Sequence, residues 1–336
     1  MKEGHFDGLI CPDCKAAIPA PELESGAPPR QFACPGCGKT YAVRGQVPYF
    51  AEHLSDQSQT ADTFGFAWTA FWKGKFDQQS VFGLKLAETA VYFLKSFGIV
   101  ERDLDGTVVL DAGTGSGRVP MSLKDLGCLV CAVDIHGGLD VVSENVGSES
   151  VQFFQADVLN VPFRDGFCDY VWSSGVLHHT PNTAQAFAAL AKKVKSGGKM
   201  FISVYGNTLH HYRIFRRLIP FSPKLPPSVN YALSAILALP LYVAFNTVLL
   251  VTRVFASRGE PPHRLFGFAF ENVEHKSYFS IVLNLFDQLH PEFQREHSVE
   301  EVRQWFEENG FTDVVTTEDV GMVEMRGTKI GTPTSR

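Results

Sequence analysis

The stretch 107–127, TVVLDAGTGSGRVPMSLKDLG, constrains the fold more than any other part of the chain. An apolar run leads into a glycine loop and then a helical pattern. That is the opening βα unit of an open, largely parallel α/β sheet. Gly113, Gly115 and Gly117 are spaced G-x-G-x-G. A dinucleotide fingerprint needs its third glycine where Arg118 stands, so this is not a pyrophosphate turn. Glycine still lets a ligand approach the backbone, because it has no Cβ and tolerates positive φ. Asp111, at the end of the strand, sets a carboxylate where a cationic group such as an α-amino group can meet it.

Three further strands follow. CLVCAVD ends in Asp134, and an acidic residue at the tip of a second strand can accept both ribose hydroxyls. VQFFQAD ends in Asp157, placed to meet an adenine amino group. FCDYVWSSGVLHH ends in small and polar residues. The pattern TAQAFAALAKKVKS predicts a helix that closes at Gly197–Gly198, before a fifth strand, KMFISVY. Glycine loops also occur as plain turns, and a terminal Asp can be a helix cap. Carboxylates closing three successive strands point instead to a ligand at the carboxyl edge of the sheet.

VLDAGTGSGR, AVDIHGG, FQADVLNVPFRDGFCDYVWSSGVLHHTPN and KSGGKMFISVYG resemble class I S-adenosylmethionine (SAM)-dependent methyltransferases of the methyltransferase type 11 group. The likeness covers about 107–205 and resumes near 298–330. There HSVEEVRQWFEENGFTDV is similar to that group's last helix and next strand, and GMVEMRGTKI to its final strand. The resemblance implies a Rossmann-like α/β fold: a seven-stranded sheet with helices on both faces and strand 7 antiparallel between strands 5 and 6. It also implies SAM as cofactor. Asp111, Ala112, Gly113, Thr114, Gly115 and Gly117 would hold the methionine end, Asp134 and Ile135 the ribose, and Asp157 with Val158 the adenine. Ser173 or Ser174 would lie beside the sulfonium. Thr114 departs from the group, where many members have cysteine. A hydroxyl acceptor needs a base, and His178 and His179 after the fourth strand are the catalytic candidates. Capping the next helix, or packing beneath the cofactor, is the alternative role for both.

Cys11, Cys14, Cys34 and Cys37 read C-x2-C, nineteen residues, C-x2-C. Each knuckle turns two thiolates toward one ion, and four complete a tetrahedral zinc site. Residues 1–50 hold five Lys/Arg and five Asp/Glu. With no basic patch to grip phosphate, a structural staple is preferred to an RNA or protein docking module. The ribbon followed by TFGFAWTAFW also resembles a bacterial subset of these methyltransferases. Cys128 and Cys131, three apart on a strand, face opposite sides and read with Cys168 as core thiols. The odd total of seven cysteines suits metal binding in a reducing compartment. The start of the chain has no long apolar stretch and does not read as a secretory signal, so the expectation is cytoplasmic.

The expected organisation is a zinc ribbon (1–50), an aromatic linker with helices (51–106), the methyltransferase domain (107–205 and 298–336) and a helical insertion or lid (206–297). Phe64, Phe66, Trp68, Phe71 and Trp72 pack the linker on the core, with Trp68 a candidate cover for the site. Ser298 and Glu301 form a capping box, and His297 either lines the acceptor pocket or merely precedes that helix. No charge occurs from Leu225 through Thr252. A single span at 231–251 would place the last helix and two strands across a bilayer from the rest of the sheet. Pro240 is expected instead to split the run into two short pieces, a helical hairpin over the acceptor pocket. Arg213, Arg216, Arg217 and Lys224 precede the run; Arg253, Arg258 and Arg264 follow it. Those flanks suit peripheral membrane contact through 206–264. A buried core hairpin and a homodimer interface are the alternatives. His210, His211, His263, His275, His290 and His297 also lie in the insertion, too dispersed for a metal motif. The function read from all this is methyl transfer to a small hydrophobic acceptor. The other readings are an RNA methyltransferase gripping through the ribbon and a non-catalytic scaffold. The net charge of −6 disfavours nucleic acid.

Overall fold

The computed structural model describes residues 7–19, 31–51, 57–75, 80–81, 84–207, 220–255, 277–318 and 321–331. Three ribbon strands, β1 (Gln31–Ala33), β2 (Thr40–Arg44) and β3 (Val47–Tyr49), precede α1 (Ser58–Ala70). A small hairpin, β4 (Ser80–Val81) and β5 (Leu84–Lys85), leads to α2 (Leu86–Phe97). The central units are β6 (Val108–Ala112), α3 (Arg118–Leu123), β7 (Leu129–Asp134), α4 (Leu139–Val146) and β8 (Val151–Gln155). They continue as β9 (Cys168–Ser174), α5 (Thr183–Ala191) and β10 (Val194–Tyr205). The chain then forms α6 (Pro227–Phe255), α7 (Tyr278–Leu289), α8 (Val299–Glu308), β11 (Phe311–Glu318) and β12 (Met322–Lys329).

One sheet runs in the order β1-β2-β3-β8-β7-β6-β9-β10-β12-β11. From β8 to β10 neighbours are parallel, and β12 is antiparallel to both β10 and β11. This is the expected Rossmann-like methyltransferase sheet. Its inner strands are apolar on both faces because helices cover both. On one face Leu110, Cys131, Phe154 and Val171 meet Phe187 of α5 and Phe306 of α8. On the other, Val109, Val130 and Phe153 share a core with Phe93 and Phe97 of α2. There Trp172 stacks on Phe201 with ring centroids 4.4 Å apart. Cys128 belongs to this second face, whereas Cys131 and Cys168 belong to the first, as their spacing requires.

The ribbon extends the same sheet. Tyr49 of β3 pairs with Gln155 of β8 in parallel. Leu9, Cys11, Ile18, Cys34, Tyr41 and Phe50 join the core that contains Phe154 and Phe163. A segment too small to bury its own core therefore borrows one.

Two expectations are corrected. The helix predicted through residue 196 ends at Ala191, and Val194 already pairs with Cys168. Gly197 and Gly198 serve an irregularity in β10, where the register shifts between Val194 and Lys199, and not a helix cap. A Cβ at Gly198 would lie 2.7 Å from the Asp169 carbonyl oxygen, so glycine is needed for strand approach. Pro240, expected to split the apolar run, sits inside one helix, α6. Proline deletes one backbone hydrogen bond and disfavours a helix interior by about 3 kcal/mol. The packing of α6 offsets that. Ala238 is fully buried, in one core with Trp68 of α1, Phe71 just after it, and Val282 and Phe286 of α7. Tyr278 Oη donates to the Ala235 carbonyl at 2.7 Å. The hairpin over the sheet is thus α6 with α7, on top of α1.

The outer side of α6 is open. Ile236, Leu239 and Val243 are 70%, 57% and 55% exposed. Pro227–Thr247 is long and apolar enough to cross a membrane by length and composition. The sheet argument stands against a single span, because β10 before the insertion pairs with β12 after it along its length. Arg213, Arg216, Arg217, Arg258, Arg264, His210, His211, His263 and His275 lie outside the described residues.

Candidate active site and metal centre

The loop between β6 and α3 is shaped by its glycines. Gly113, Gly115 and Gly117 have φ of 88°, 54° and 78°, a left-handed conformation that other residues adopt at a penalty. Space forbids side chains too. A Cβ at Gly113 would stand 2.1 Å from Val176, and one at Gly117 2.6 Å from Val142. The Trp68 ring covers the loop, 3.0 Å from where a Gly115 Cβ would be. Trp72 Nε1 donates to the Ser116 carbonyl at 3.1 Å. The aromatic linker therefore roofs the glycine loop as well as packing the core.

Asp111 lies under this loop, and its Oδ2 is buried without a hydrogen-bond partner. Burial pushes its pKa up to about 7; Thr114 and Arg118 oppose the rise and the charge of Asp134 adds to it. The folded protein holds this proton more tightly than the unfolded chain. The free protein therefore loses stability as pH climbs from the ordinary 3.8 toward about 7. A cationic ligand at Asp111 needs the carboxylate, so its binding releases the proton. S-adenosylhomocysteine (SAH) is expected to bind about tenfold more tightly at pH 8 than at pH 6, and Asp111→Asn to flatten that dependence. Calorimetry across pH checks both.

Asp134 serves the backbone. Its Oδ2 accepts from Gly115 N at 2.8 Å, and its Oδ1 from Ile135 N at 2.8 Å and His136 N at 3.3 Å. A carboxylate has about four acceptor sites, so with three amides bound there is capacity for one more donor, such as a single hydroxyl. The Ile135 carbonyl accepts from Gln155 Nε2 at 2.6 Å. Asp157 lies two residues beyond the end of β8 and caps the turn Val158–Asn160, its Oδ1 accepting from Leu159 N at 2.9 Å. Its Oδ2 accepts from Gln57 Nε2 at 2.7 Å. An adenine amino group there would share that oxygen with Gln57. Val158 is buried in the turn. Ala112 and Thr114 are buried, and Ser173 Oγ donates to the Ala112 carbonyl at 2.9 Å. Ser174 is half-buried at the end of β9.

His178 and His179 are buried after β9. His178 stacks on Tyr205 at 3.8 Å, and its Nδ1 accepts from Tyr205 N at 3.3 Å. Burial, then the neighbouring His179 and His297, hold its pKa well below the ordinary value, so the ring is neutral. His179 Nδ1 lies 2.9 Å from the Phe293 carbonyl oxygen, and its Nε2 lies 3.8 Å from Asp287 Oδ1. Tyr205 Oη donates to Asp287 Oδ2 at 2.5 Å and accepts from Gln288 Nε2 at 2.8 Å. Burial raises the pKa of Asp287; His179 and Tyr205 oppose it. The insertion thus delivers a carboxylate to the ends of β9 and β10. His297 lies beside this cluster, its backbone N donating to the Tyr205 carbonyl at 2.9 Å, but its ring nitrogens face elsewhere: Nε2 meets Thr183 Oγ1 at 3.0 Å, Nδ1 meets Glu301 Oε1 at 3.1 Å, and the ring abuts Trp305. Ser298 Oγ accepts from Glu301 N at 3.1 Å, so the cap forms while the Glu301 carboxylate turns to His297. His290 Nδ1, 2.7 Å from Asn230 Nδ2, joins α7 to α6.

Cys11, Cys14, Cys34 and Cys37 bring their four Sγ atoms within 4.8 Å of one another. Cys11–Cys37 and Cys14–Cys34 are 3.8 and 3.5 Å apart, and all four are free thiols. A zinc tetrahedron with bonds of ~2.3 Å has sulfur–sulfur edges of ~3.8 Å, so the set fits the ion. Tyr41 Oη, 3.0 Å from Cys11 Sγ, donates to Asp13 Oδ2 at 2.7 Å, and Gly36 N donates to Cys34 Sγ at 3.3 Å. These outer contacts orient the thiolates.

The methyltransferase type 11 family, described as "Methyltransferase domain", matches residues 110–202. This segment is a class I methyltransferase domain. A ubiquinone biosynthesis O-methyltransferase of Xanthomonas oryzae pv. oryzae is 34% identical over 110 residues, which are 32% of this chain and 46% of that protein. A tRNA (carboxymethyluridine(34)-5-O)-methyltransferase of Arabidopsis thaliana is 33% identical over 122 residues, 35% of this chain and 29% of that protein. The chain thus spans less than half the length of each of these curated relatives. A solved complex of the Haloferax volcanii Trm112 methyltransferase activator with a methyltransferase superposes with a TM-score of 0.49 at 14% identity, covering 81% of this chain and 98% of that one.

Within the methyltransferase domain the residues fit SAM on their own geometry. An unsatisfied carboxylate oxygen stands beneath a glycine loop that Val176, Trp68 and Val142 approach too closely for any side chain. Sequence reasoning missed Gln57, Gln155, Tyr205 and Asp287. Of these only Tyr205 left a signal, as the last residue of the fifth strand.

Proposed function

We propose that this chain is a SAM-dependent methyltransferase acting on a small hydrophobic acceptor, with a structural zinc ion in its ribbon. The observation that carries the reading is the buried, unpartnered Asp111 oxygen under the glycine cradle. When bound, SAM supplies an electrophilic methyl group on a sulfonium. Asp111 holds the α-amino group. Asp134, together with the Ile135 backbone, holds the ribose, and Val158 packs against the adenine. Trp68 and α7 exclude water from the reacting atoms.

The acceptor meets this centre below α6 and α7. Phe64, Phe66, Tyr231 and Phe286 pack there in one apolar cluster, a neighbourhood that suits an apolar body better than a polyanion. The balanced charge of residues 1–50, five Lys/Arg against five Asp/Glu, does not favour RNA. His179 is the group that takes a proton from an acceptor hydroxyl, and Asp287 stabilises the imidazolium that results. His178, stacked and neutral, supports Tyr205. His179→Ala is expected to slow turnover about 100-fold at saturating SAM while SAH affinity stays put. If turnover of the His179 variant is unchanged, alignment alone accounts for the rate.

The exposed stripe of α6, with Lys224 in the turn before it and further arginines in the flanking sequence, suits an anionic bilayer surface. The decisive experiment uses SAM labelled in the methyl group with two pools, a chloroform-soluble cell extract and total RNA. Label in the organic-soluble pool is the expected result. Label in RNA overturns the acceptor class. Flotation with anionic vesicles, reversed by salt, checks the membrane contact separately.

A further inference from the structure

The first metal knuckle touches the cofactor side of the domain directly. Lys15 Nζ donates to Asn160 Oδ1 at 2.6 Å and to the Pro12 carbonyl at 2.8 Å. Asn160 Nδ2 donates to the same Pro12 carbonyl at 3.1 Å. Pro12 stands between Cys11 and Cys14, so its position follows from how those two thiolates converge. Asn160 ends the turn Val158–Asn160 that Asp157 caps. That turn is the one assigned to the adenine.

The contact continues on both sides. Ile10 N donates to the Pro162 carbonyl at 2.9 Å, and Arg164 N to the Gly8 carbonyl at 2.7 Å. Leu9 bridges Phe163. From the other edge of the ribbon, Phe50 N donates to the Gln155 carbonyl at 2.7 Å and Ala51 N to Gln155 Oε1 at 2.9 Å. The Gln155 side chain then reaches the Ile135 carbonyl beside the ribose position. Asn160, Pro162, Arg164 and Gln155, which flank the turn assigned to the adenine, are thereby tied directly to the ribbon. Lys15 also keeps a φ of 63°, which a non-glycine residue holds only where its surroundings fix it.

We propose that the zinc-loaded knuckle at Cys11–Lys15 is a structural wall of the adenine subsite, so that metal and cofactor bind with positive coupling. Asn160 and Lys15 are positioning residues: they act through the turn and touch no reacting atom. This rests on the cofactor reading above. Coupling between two sites is reciprocal, so zinc raises cofactor affinity by the factor with which cofactor raises zinc affinity.

The test uses the full zinc-loaded chain in competition with a chromophoric chelator, with and without saturating SAH. Calorimetry first establishes that SAH binds. Zinc retention is expected to tighten about tenfold with SAH. In Asn160→Ala combined with Lys15→Met, zinc still binds at one per chain but the ratio falls to about one. Asn160→Asp, which keeps the acceptor for Lys15, restores part of it. A wild-type chain that binds SAH yet releases zinc equally with and without it overturns the inference alone. A chain that binds no SAH overturns the cofactor reading, and this inference with it.

Discussion

Asp134→Ala is expected to weaken SAH binding by about 100-fold or more, the largest effect of any single change in the cleft. Two roles converge on this side chain. Its Oδ2 holds the Gly115 amide, and its Oδ1 holds the Ile135 and His136 amides. Removing the carboxylate frees the glycine loop and deletes the charge-assisted bond proposed to a ribose hydroxyl. Such a bond contributes about 1.5–3 kcal/mol, and 1.4 kcal/mol is a factor of ten. Asp134→Asn separates the roles. It keeps an acceptor oxygen for one amide but presents an NH2 group where the other amides donate. A loss from Asn nearly as large as from Ala assigns the effect to the loop; a much smaller one assigns it to the ribose. Unchanged affinity in the alanine variant would sink the assignment of this residue to the cofactor.

Loss of the metal is expected to have the largest effect on stability. One zinc per chain should co-purify, and Cys34→Ala should abolish it. Structural zinc contributes about 10–16 kcal/mol to the folding of isolated finger peptides. Here part of that is supplied by the shared core, because Cys11, Cys34 and Tyr41 pack in one cluster with Phe154 and Phe163. Damage therefore does not stop at the ribbon. A loss of ~3–5 kcal/mol reaching the sheet lowers Tm by about 10 °C for a domain of this size. Elemental analysis and thermal unfolding check the two halves. A Cys34→Ala protein that keeps its metal, or melts with wild-type Tm, refutes the staple.

Much of the sheet was legible because its signals are local. Each inner strand is a continuous apolar run, and the glycines of 113–117 can serve only a turn with positive φ. The four ribbon cysteines were legible for the same reason, since two-residue spacing fixes a knuckle by itself. What the residues could not announce was long-range. That β3 would pair with β8, and that Lys15 would meet Asn160, depends on docking between segments over a hundred residues apart. Asp287 and Gln288 sit in a helix whose apolar pattern reads as plain core, and nothing local marks the carboxylate as a neighbour of His179. Pro240 misled because local propensity favours a break. Tertiary packing of Ala238 against α7 overrode it. At Gly197–Gly198 a helix-ending pair proved to serve a strand irregularity, two uses of glycine that look alike in one dimension.

The central claim is that the cleft above Asp111 holds SAM. Calorimetric titration of the full zinc-loaded chain with SAH at pH 8 tests it most directly. The account predicts one site per chain with Kd on the order of micromolar, and a proton released on binding near pH 7. No binding at ~1 mM SAH, from protein that is folded and zinc-loaded, would contradict it.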